Sequence, residues 1–145
     1  MYPRRSWLGL ALLWGCGLAS GMASGCGGAP TRLVTVKSGS GTGPIQLEVK
    51  NLTDAGINNF YLAKTDQVTD QLDPDSPEGQ SIWGADLLPT AIAKGDRVAV
   101  PVPGPGRWDA RALDRDRRYQ HIAGLKLDAG GRYILELNEG GWRVK

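Results

Sequence analysis

Few side chains in this sequence could carry out chemistry. The one histidine, His121, falls in a run that alternates like a β-strand. Alternation places three other side chains on its face: Tyr119, Leu125 and Leu127. A histidine in such a row is expected to be packed rather than to act as a base. Ser76 and Ser81 lack the glycine-flanked turn that presents a catalytic serine. We therefore predict that the protein is not an enzyme.

Metal sites of the common kinds are not predicted. Zinc and copper centres take several histidine or cysteine ligands, and the sequence holds one histidine and two cysteines. Calcium needs only oxygen ligands, and the loop at 66–78 offers five carboxylates: Asp66, Asp70, Asp73, Asp75 and Glu78. Two prolines, and no glycine at the bend, break the EF-hand spacing. We interpret a solvated acidic loop, with calcium binding as the alternative, and expect no cofactor.

The run Trp-Gly-Ala-Asp-Leu-Leu at 83–88 has two interpretations. In one, Trp83 and Asp86 contact a ligand, because an exposed tryptophan on a β scaffold can stack on a sugar ring or insert into a partner. In the other, which the sequence favours, Trp83 covers one end of the fold. Asp86 then caps a short helical turn that ends before Pro89.

Charge argues against polyanionic partners. Removal of a leader that carries Arg4 and Arg5 would leave 15 basic and 15 acidic residues. A neutral domain has no long-range field to attract nucleic acid, so no nucleic-acid partner is expected. The most basic stretch, at 107–118, interleaves five arginines with aspartates, which predicts a solvated strand face.

The first 25 residues have the pattern of an export signal. Arg4 and Arg5 precede an apolar run of about a dozen residues, too short for a transmembrane helix of about 20. Small residues follow and lead to Ala-Ser-Gly-Cys at 23–26, which resembles the lipobox of bacterial lipoproteins. The resemblance implies cleavage before Cys26 and a lipid on its sulfur, with palmitate among the acyl chains.

Three alternatives stay open for this segment. The usual lipobox leucine is Ala23 here, whereas Leu-Trp-Gly-Cys at 13–16 has the leucine but a bulky tryptophan. A plain secretory signal cut near Ala19 or Ala23 would leave Cys26 free. The paired arginines also resemble a twin-arginine signal, so the export route is open. Gly27 is not the aspartate that retains lipoproteins at an inner membrane, which favours the outer membrane.

Beyond the leader, apolar and polar residues alternate with the period of half-buried strands. Eight runs are predicted as strands, at 33–37, 45–50, 59–64, 97–102, 107–113, 119–127, 132–137 and 141–144. The predicted inward residues are Val98, Val100, Val102, Trp108, Ala110, Ala112, Tyr133, Leu135, Leu137, Trp142 and Val144. Short strands separated by turn residues predict one all-β, antiparallel, Ig-like sandwich of seven to eight strands. The expected organisation is a signal peptide at 1–25, the lipid cysteine, a flexible linker and a possible first strand at 26–44, and the sandwich at 45–145.

Several pieces together resemble a group of small exported bacterial domains of unknown function. They are a strand ending in Asn-Leu-Thr at 51–53, a strand rich in Tyr and Leu at 57–63, the run at 83–88, a glycine turn at 94–96, and Trp-Asp-Ala-Arg at 108–111. We expect Asn51 to form an Asx-type turn after its strand. The group often has a cysteine pair around its later strands, which this chain lacks. The resemblance implies the fold and the exported location, and no activity.

The sequence thus predicts a non-enzymatic envelope lipoprotein, attached to a membrane through a lipid on Cys26. Its sandwich would be a binding or structural module whose partner is an envelope protein or a glycan. The expected location is the outer membrane, facing the periplasm or the surface. The alternatives are an envelope hydrolase or its accessory subunit, and a carbohydrate- or calcium-binding module.

Overall fold

The alternating runs form seven β-strands in the computed structural model, which describes residues 28–69 and 72–144. The strands are β1 (Arg32–Lys37), β2 (Gln46–Asn51), β3 (Ile57–Lys64), β4 (Arg97–Val100), β5 (Gly106–Asp114), β6 (Tyr119–Leu127) and β7 (Arg132–Leu137). One α-helix, α1, spans Pro77–Trp83, and short 3-10 helices span Thr65–Gln67 and Glu139–Gly141.

The strands form two sheets, so the predicted all-β sandwich is confirmed. One sheet has the order β1-β7-β2-β4 and the other the order β3-β5-β6. Neighbouring strands are antiparallel with one exception, since β2 and β7 run parallel. The exception arises because the last strand inserts between the first two.

Alternation produces the core, as the pattern of β2 illustrates. Leu47, Val49 and Asn51 are buried, whereas the polar residues between them lie on the outer face. Seven of the predicted inward residues are buried between the sheets: Val100, Trp108, Ala110, Ala112, Tyr133, Leu135 and Leu137. Val98, Val102 and Trp142 pack at the margin of this core. Burial of this apolar surface is the main force that holds the sheets together.

A third layer covers the outer face of the three-stranded sheet. Helix α1 and the loops beside it pack on β3, β5 and β6 through four buried residues, Tyr61, Ala63, Trp83 and Leu113. The sequence did not predict this layer. It makes the outer face of β5 an interior surface, which decides the environment of every polar side chain on that face.

The helix lies upstream of the short helical turn predicted between Asp86 and Pro89, so that prediction is wrong. Ser76 caps α1, since its hydroxyl accepts a hydrogen bond from the Gly79 N–H at 2.9 Å. Pro77 occupies the first helical position, where no N–H is needed. Gly84 ends the helix with a φ of 71°, a conformation that suits glycine.

Asn51 forms the predicted Asx-type turn at the end of β2. Its Oδ1 accepts from the Thr53 N–H at 2.9 Å and from the Thr53 hydroxyl at 2.8 Å. Its Nδ2 donates to the carbonyls of Ala55 and Ile92 at 2.7 and 2.9 Å. Each polar atom of this buried amide therefore has a partner, as burial requires.

The predicted eighth strand, at 141–144, is wrong. In its place the chain makes a 3-10 helix at Glu139–Gly141 and one isolated bridge between Arg143 and Tyr119. Val144 was expected to point inward but is 80% exposed. Within residues 28–69 and 72–144, no helix has the length and hydrophobicity to cross a bilayer.

Candidate functional site

Trp83, a ligand contact in one of its two interpretations, lies inside the third layer. Only 2% of its surface is exposed. Its Nε1–H donates to the Leu72 carbonyl at 3.1 Å, and its ring meets that of His121 edge-on with centroids 5.9 Å apart. The ring covers the outer face of a sheet rather than the predicted end of the sandwich. In this conformation it offers no face for stacking on a sugar.

Arg111 lies at the centre of the same layer. Its guanidinium carbon is 5.0 Å from the ring centroids of both Trp83 and Tyr119. Nη1 donates to the Leu72 carbonyl at 2.7 Å, and Nη2 lies 3.3 Å from Nδ1 of His121. Two aromatic rings and a carbonyl thus stabilise a cation that has been removed from water.

His121 is fixed through both ring nitrogens. Because a guanidinium can only donate hydrogen bonds, Nδ1 of His121 accepts from Arg111. The ring proton is therefore on Nε2, which donates to Oδ2 of Asp109 at 2.8 Å. The His121 side chain is 7% exposed. The chain Arg111–His121–Asp109 is a buried, hydrogen-bonded relay.

Asp109 is held as a carboxylate by this relay. Burial alone would raise its pKa, but hydrogen bonds from the Gly124 N–H, the Thr65 hydroxyl and His121 outweigh burial and lower the pKa below its ordinary value. The first two bonds reach Oδ1 at 2.9 and 2.7 Å. Burial also lowers the pKa of Arg111, although a guanidinium keeps its proton at neutral pH.

A bulge in β6 brings His121 to this layer. The pairing of β5 with β6 shifts register between Trp108 and Ala110, and Gly124 adopts a φ of 67° beside the shift. The extra residue reverses the alternation, so Leu125 and Leu127 point into the core between the sheets, away from the layer of His121. The prediction that these leucines share its face is wrong for this reason.

The prediction of a solvated strand face at 107–118 is also wrong for three charged residues. Asp109, Arg111 and Asp114 are buried. For Asp109 and Arg111, the signal that could have revealed their burial is their position on alternate residues of a strand whose other face is apolar. Trp108, Ala110 and Ala112 of β5 face the core, and His121 lies on the neighbouring strand. The polar side chains on the other face of β5 can form a buried network only if another element packs over them.

This arrangement does not have the hydrogen-bond order of a hydrolase triad. Both nitrogens of His121 are engaged, and the hydroxyl nearest the carboxylate, that of Thr65, donates to Asp109 instead of to the histidine. A hydrolase triad needs the reverse order, with the histidine accepting from a nucleophile. The relay therefore fixes the third layer on the sheet.

Asp86, the other possible ligand contact, anchors the segment after α1 to the edge of β3. Its Oδ1 accepts from the N–H groups of Phe60 and Leu88 at 2.9 and 3.0 Å, and its Oδ2 accepts from Nδ2 of Asn59 at 2.9 Å. The role of a helix cap is wrong, because no helix follows it. Its carboxylate closes an edge that would otherwise be open to another strand.

Two carboxylates of the acidic loop have protein partners. Asp75 pairs with Arg117, and Oδ1 of Asp73 accepts from the Asp75 N–H at 3.1 Å. Glu78 lies on α1, while Asp70 falls outside the described residues. Among the described residues, no three acidic, histidine or cysteine side chains converge as metal ligands.

The amino-terminal segment packs against the last turn of the chain. The Ala29 carbonyl accepts from the Gly140 N–H at 3.2 Å, and the Pro30 carbonyl accepts from Nδ2 of Asn138 at 3.0 Å. The Thr31 hydroxyl accepts from the Asn138 N–H at 3.1 Å. Cys26 itself, with the signal segment, lies outside the described residues.

An open, polar groove of about 680 Å³ lies at the same end of the sandwich. Its charged lining residues are Asp54, Asp114, Arg115, Asp116, Arg118 and Glu139. The Asp114 carboxylate is paired with Arg118, whose backbone N–H donates to Oδ1 at 2.8 Å and whose Nε donates to Oδ2 at 2.7 Å. The groove thus presents both signs of charge close to the amino-terminal segment.

No family model, curated protein or solved structure was found to match this chain. The resemblance to small exported bacterial domains therefore stays a prediction.

Proposed function

We propose that the protein is a non-enzymatic lipoprotein of the bacterial envelope, anchored by a lipid on Cys26, whose β-sandwich serves as a binding or structural module. The observation that carries the proposal is how close Cys26 lies in the sequence to a residue that is bonded to the domain. The Ala29 carbonyl accepts a backbone hydrogen bond from Gly140, and Ala29 is three residues after Cys26. The lipobox-like run therefore lies immediately upstream of a described residue of the fold, as expected for a cleavage and acylation site.

The buried relay supports the non-enzymatic part of the proposal. A general base must reach a substrate proton, but the only histidine is enclosed by Arg111, Asp109 and Trp83. An envelope hydrolase, or an accessory subunit of one, remains the alternative, although no observation favours it. A glycan-binding module has lost its main support because the ring of Trp83 is covered. Calcium binding at the acidic loop is less well supported, because the Asp75 carboxylate is paired with Arg117.

Replacement of the candidate acyl cysteine tests the anchor. In cells that export the full chain and are labelled with palmitate, Cys26→Ser should lose the label and move from the membrane fraction to the soluble fraction. Cys16→Ser is the matched control and should keep both the label and the membrane location. A Cys26→Ser protein that stays labelled and membrane-bound would contradict the proposal.

Cross-linking of the intact lipoprotein in its own envelope is a separate experiment, which would identify the proposed protein or glycan partner.

A further inference from the structure

The tether between the candidate lipid and the folded domain is very short. Gly27 and Gly28 alone separate Cys26 from Ala29, whose carbonyl is already bonded to the last turn. Three peptide units reach at most about 11 Å. A lipid on Cys26 would therefore hold one end of the sandwich within this distance of the bilayer surface. A long flexible linker, by contrast, would leave the domain free to rotate.

The structure defines which end this is. Arg32 begins β1 and pairs with Glu136 near the end of β7. Residues 138–143 then cross from β7 to β6, where Arg143 and Tyr119 exchange hydrogen bonds of 2.8 and 2.9 Å. The hairpin tip at 115–118 and the turn at 52–56 lie beside this crossing, because both line the polar groove with Glu139. We name this surface the tether end.

The side chains of the tether end suit a layer of lipid headgroups. Trp142 is half-buried there, with its Nε1 enclosed, part of its ring exposed and the Arg118 guanidinium 5.0 Å from the ring centroid. Tryptophan beside arginine is typical of membrane interfaces, where an amphipathic ring lies at headgroup depth. Arg115 and Arg143 form no ion pair with any residue in 28–69 or 72–144, so both guanidiniums are free to bind phosphate.

The mixed charge of this surface selects the kind of headgroup. Asp116 and Glu139 lie among the arginines in or beside the groove, whereas the Asp54 carboxylate there is already paired with Lys94. A purely anionic surface would be repelled by these carboxylates, whereas a headgroup with both a phosphate and an amine meets both signs. We propose that the tether end rests on the bilayer that carries the lipid anchor and binds zwitterionic phospholipid headgroups there. This proposal rests on lipid attachment at Cys26.

Contact can be measured by fluorescence quenching. The purified lipidated protein is reconstituted in phosphatidylethanolamine–phosphatidylcholine vesicles that contain a headgroup nitroxide lipid. Residues 26–145 contain three tryptophans, Trp83, Trp108 and Trp142, of which the first two are buried. We expect quenching in the wild type and loss of most of it in Trp142→Phe. Arg143→Glu should also reduce quenching, while Lys126→Glu, an exposed change on β6 away from the tether end, should not.

A longer tether separates orientation from anchoring. Insertion of about 12 glycine and serine residues between Gly27 and Gly28, with a mean span of about 20 Å, should reduce quenching while the protein still floats with the vesicles. Unchanged quenching after the insertion, or in Trp142→Phe, would overturn the proposed orientation alone. A wild-type protein that does not float would refute the lipid anchor and, with it, this inference. Circular dichroism of each variant verifies that it is folded.

Discussion

Replacement of Trp83 by alanine should remove much of the stability of the domain. The ring is 2% exposed, and a buried tryptophan removes about 150–250 Å² from water. At about 25 cal/mol per Å², this area corresponds to about 4–6 kcal/mol, of which the alanine methyl keeps a part. The lost N–H costs little, since Leu72 retains the donor Nη1 of Arg111 at 2.7 Å. We expect Trp83→Ala to lower the free energy of unfolding by about 3–5 kcal/mol.

Urea unfolding followed by far-ultraviolet circular dichroism measures this loss without depending on tryptophan fluorescence. With a slope of about 1.5–2 kcal/mol per molar urea, the midpoint should fall by about 2 M. Trp142→Ala is the matched control, because a half-buried ring should cost distinctly less. The reasoning fails if Trp83→Ala costs under about 1 kcal/mol, since that is the behaviour of a ring kept for a ligand rather than for the fold.

Two further substitutions test the third layer. Because the pKa of Asp109 is lowered in the folded protein, its carboxylate stabilises the fold above the unfolded pKa of about 3.9, and this contribution is lost as the pH falls through the folded value. Asp109→Asn should therefore flatten the dependence of stability on pH below about pH 4 in acid titrations of the melting temperature, and an unchanged slope would contradict the relay. Gly79→Ala should destabilise by about 1–3 kcal/mol in urea, because its Cβ would lie 1.6 Å from the Asp73 carbonyl oxygen. The exposed helical change Ser81→Ala should be nearly neutral, and a neutral Gly79→Ala would show that Asp73 is not packed as described.

Strands were predictable where alternation and turn residues agree. The predicted runs at 119–127 and 132–137 have the bounds of β6 and β7. The helix was missed although its signals are present, since Ser76 is followed by Pro77 and Glu78, the sequence of a capped helix start. The acidic, proline-rich composition of the loop concealed them. Composition is a weaker signal than a cap because it specifies no backbone geometry.

The candidate site was less predictable because its burial depends on which element packs over the outer face of β5. A bulge at Gly124 reverses the face of half a strand, and one residue in the wrong register moves every later side chain to the other face. Arg111 and Asp109 resemble solvated residues in the sequence, and only the layer that contains Trp83 makes them buried. Single-strand periodicity does not report what packs on a sheet.

The insertion of β7 between β1 and β2 sets an order of events for folding. Among the described strands, β1 pairs with β7 alone, and the contact of Arg32 with Glu136 spans 104 residues of chain. The four-stranded sheet cannot close until the chain has been synthesised as far as β7, and such non-local pairing is slow. A chain that stopped before β7 would leave β1 without its partner, so this sheet is completed only late in folding.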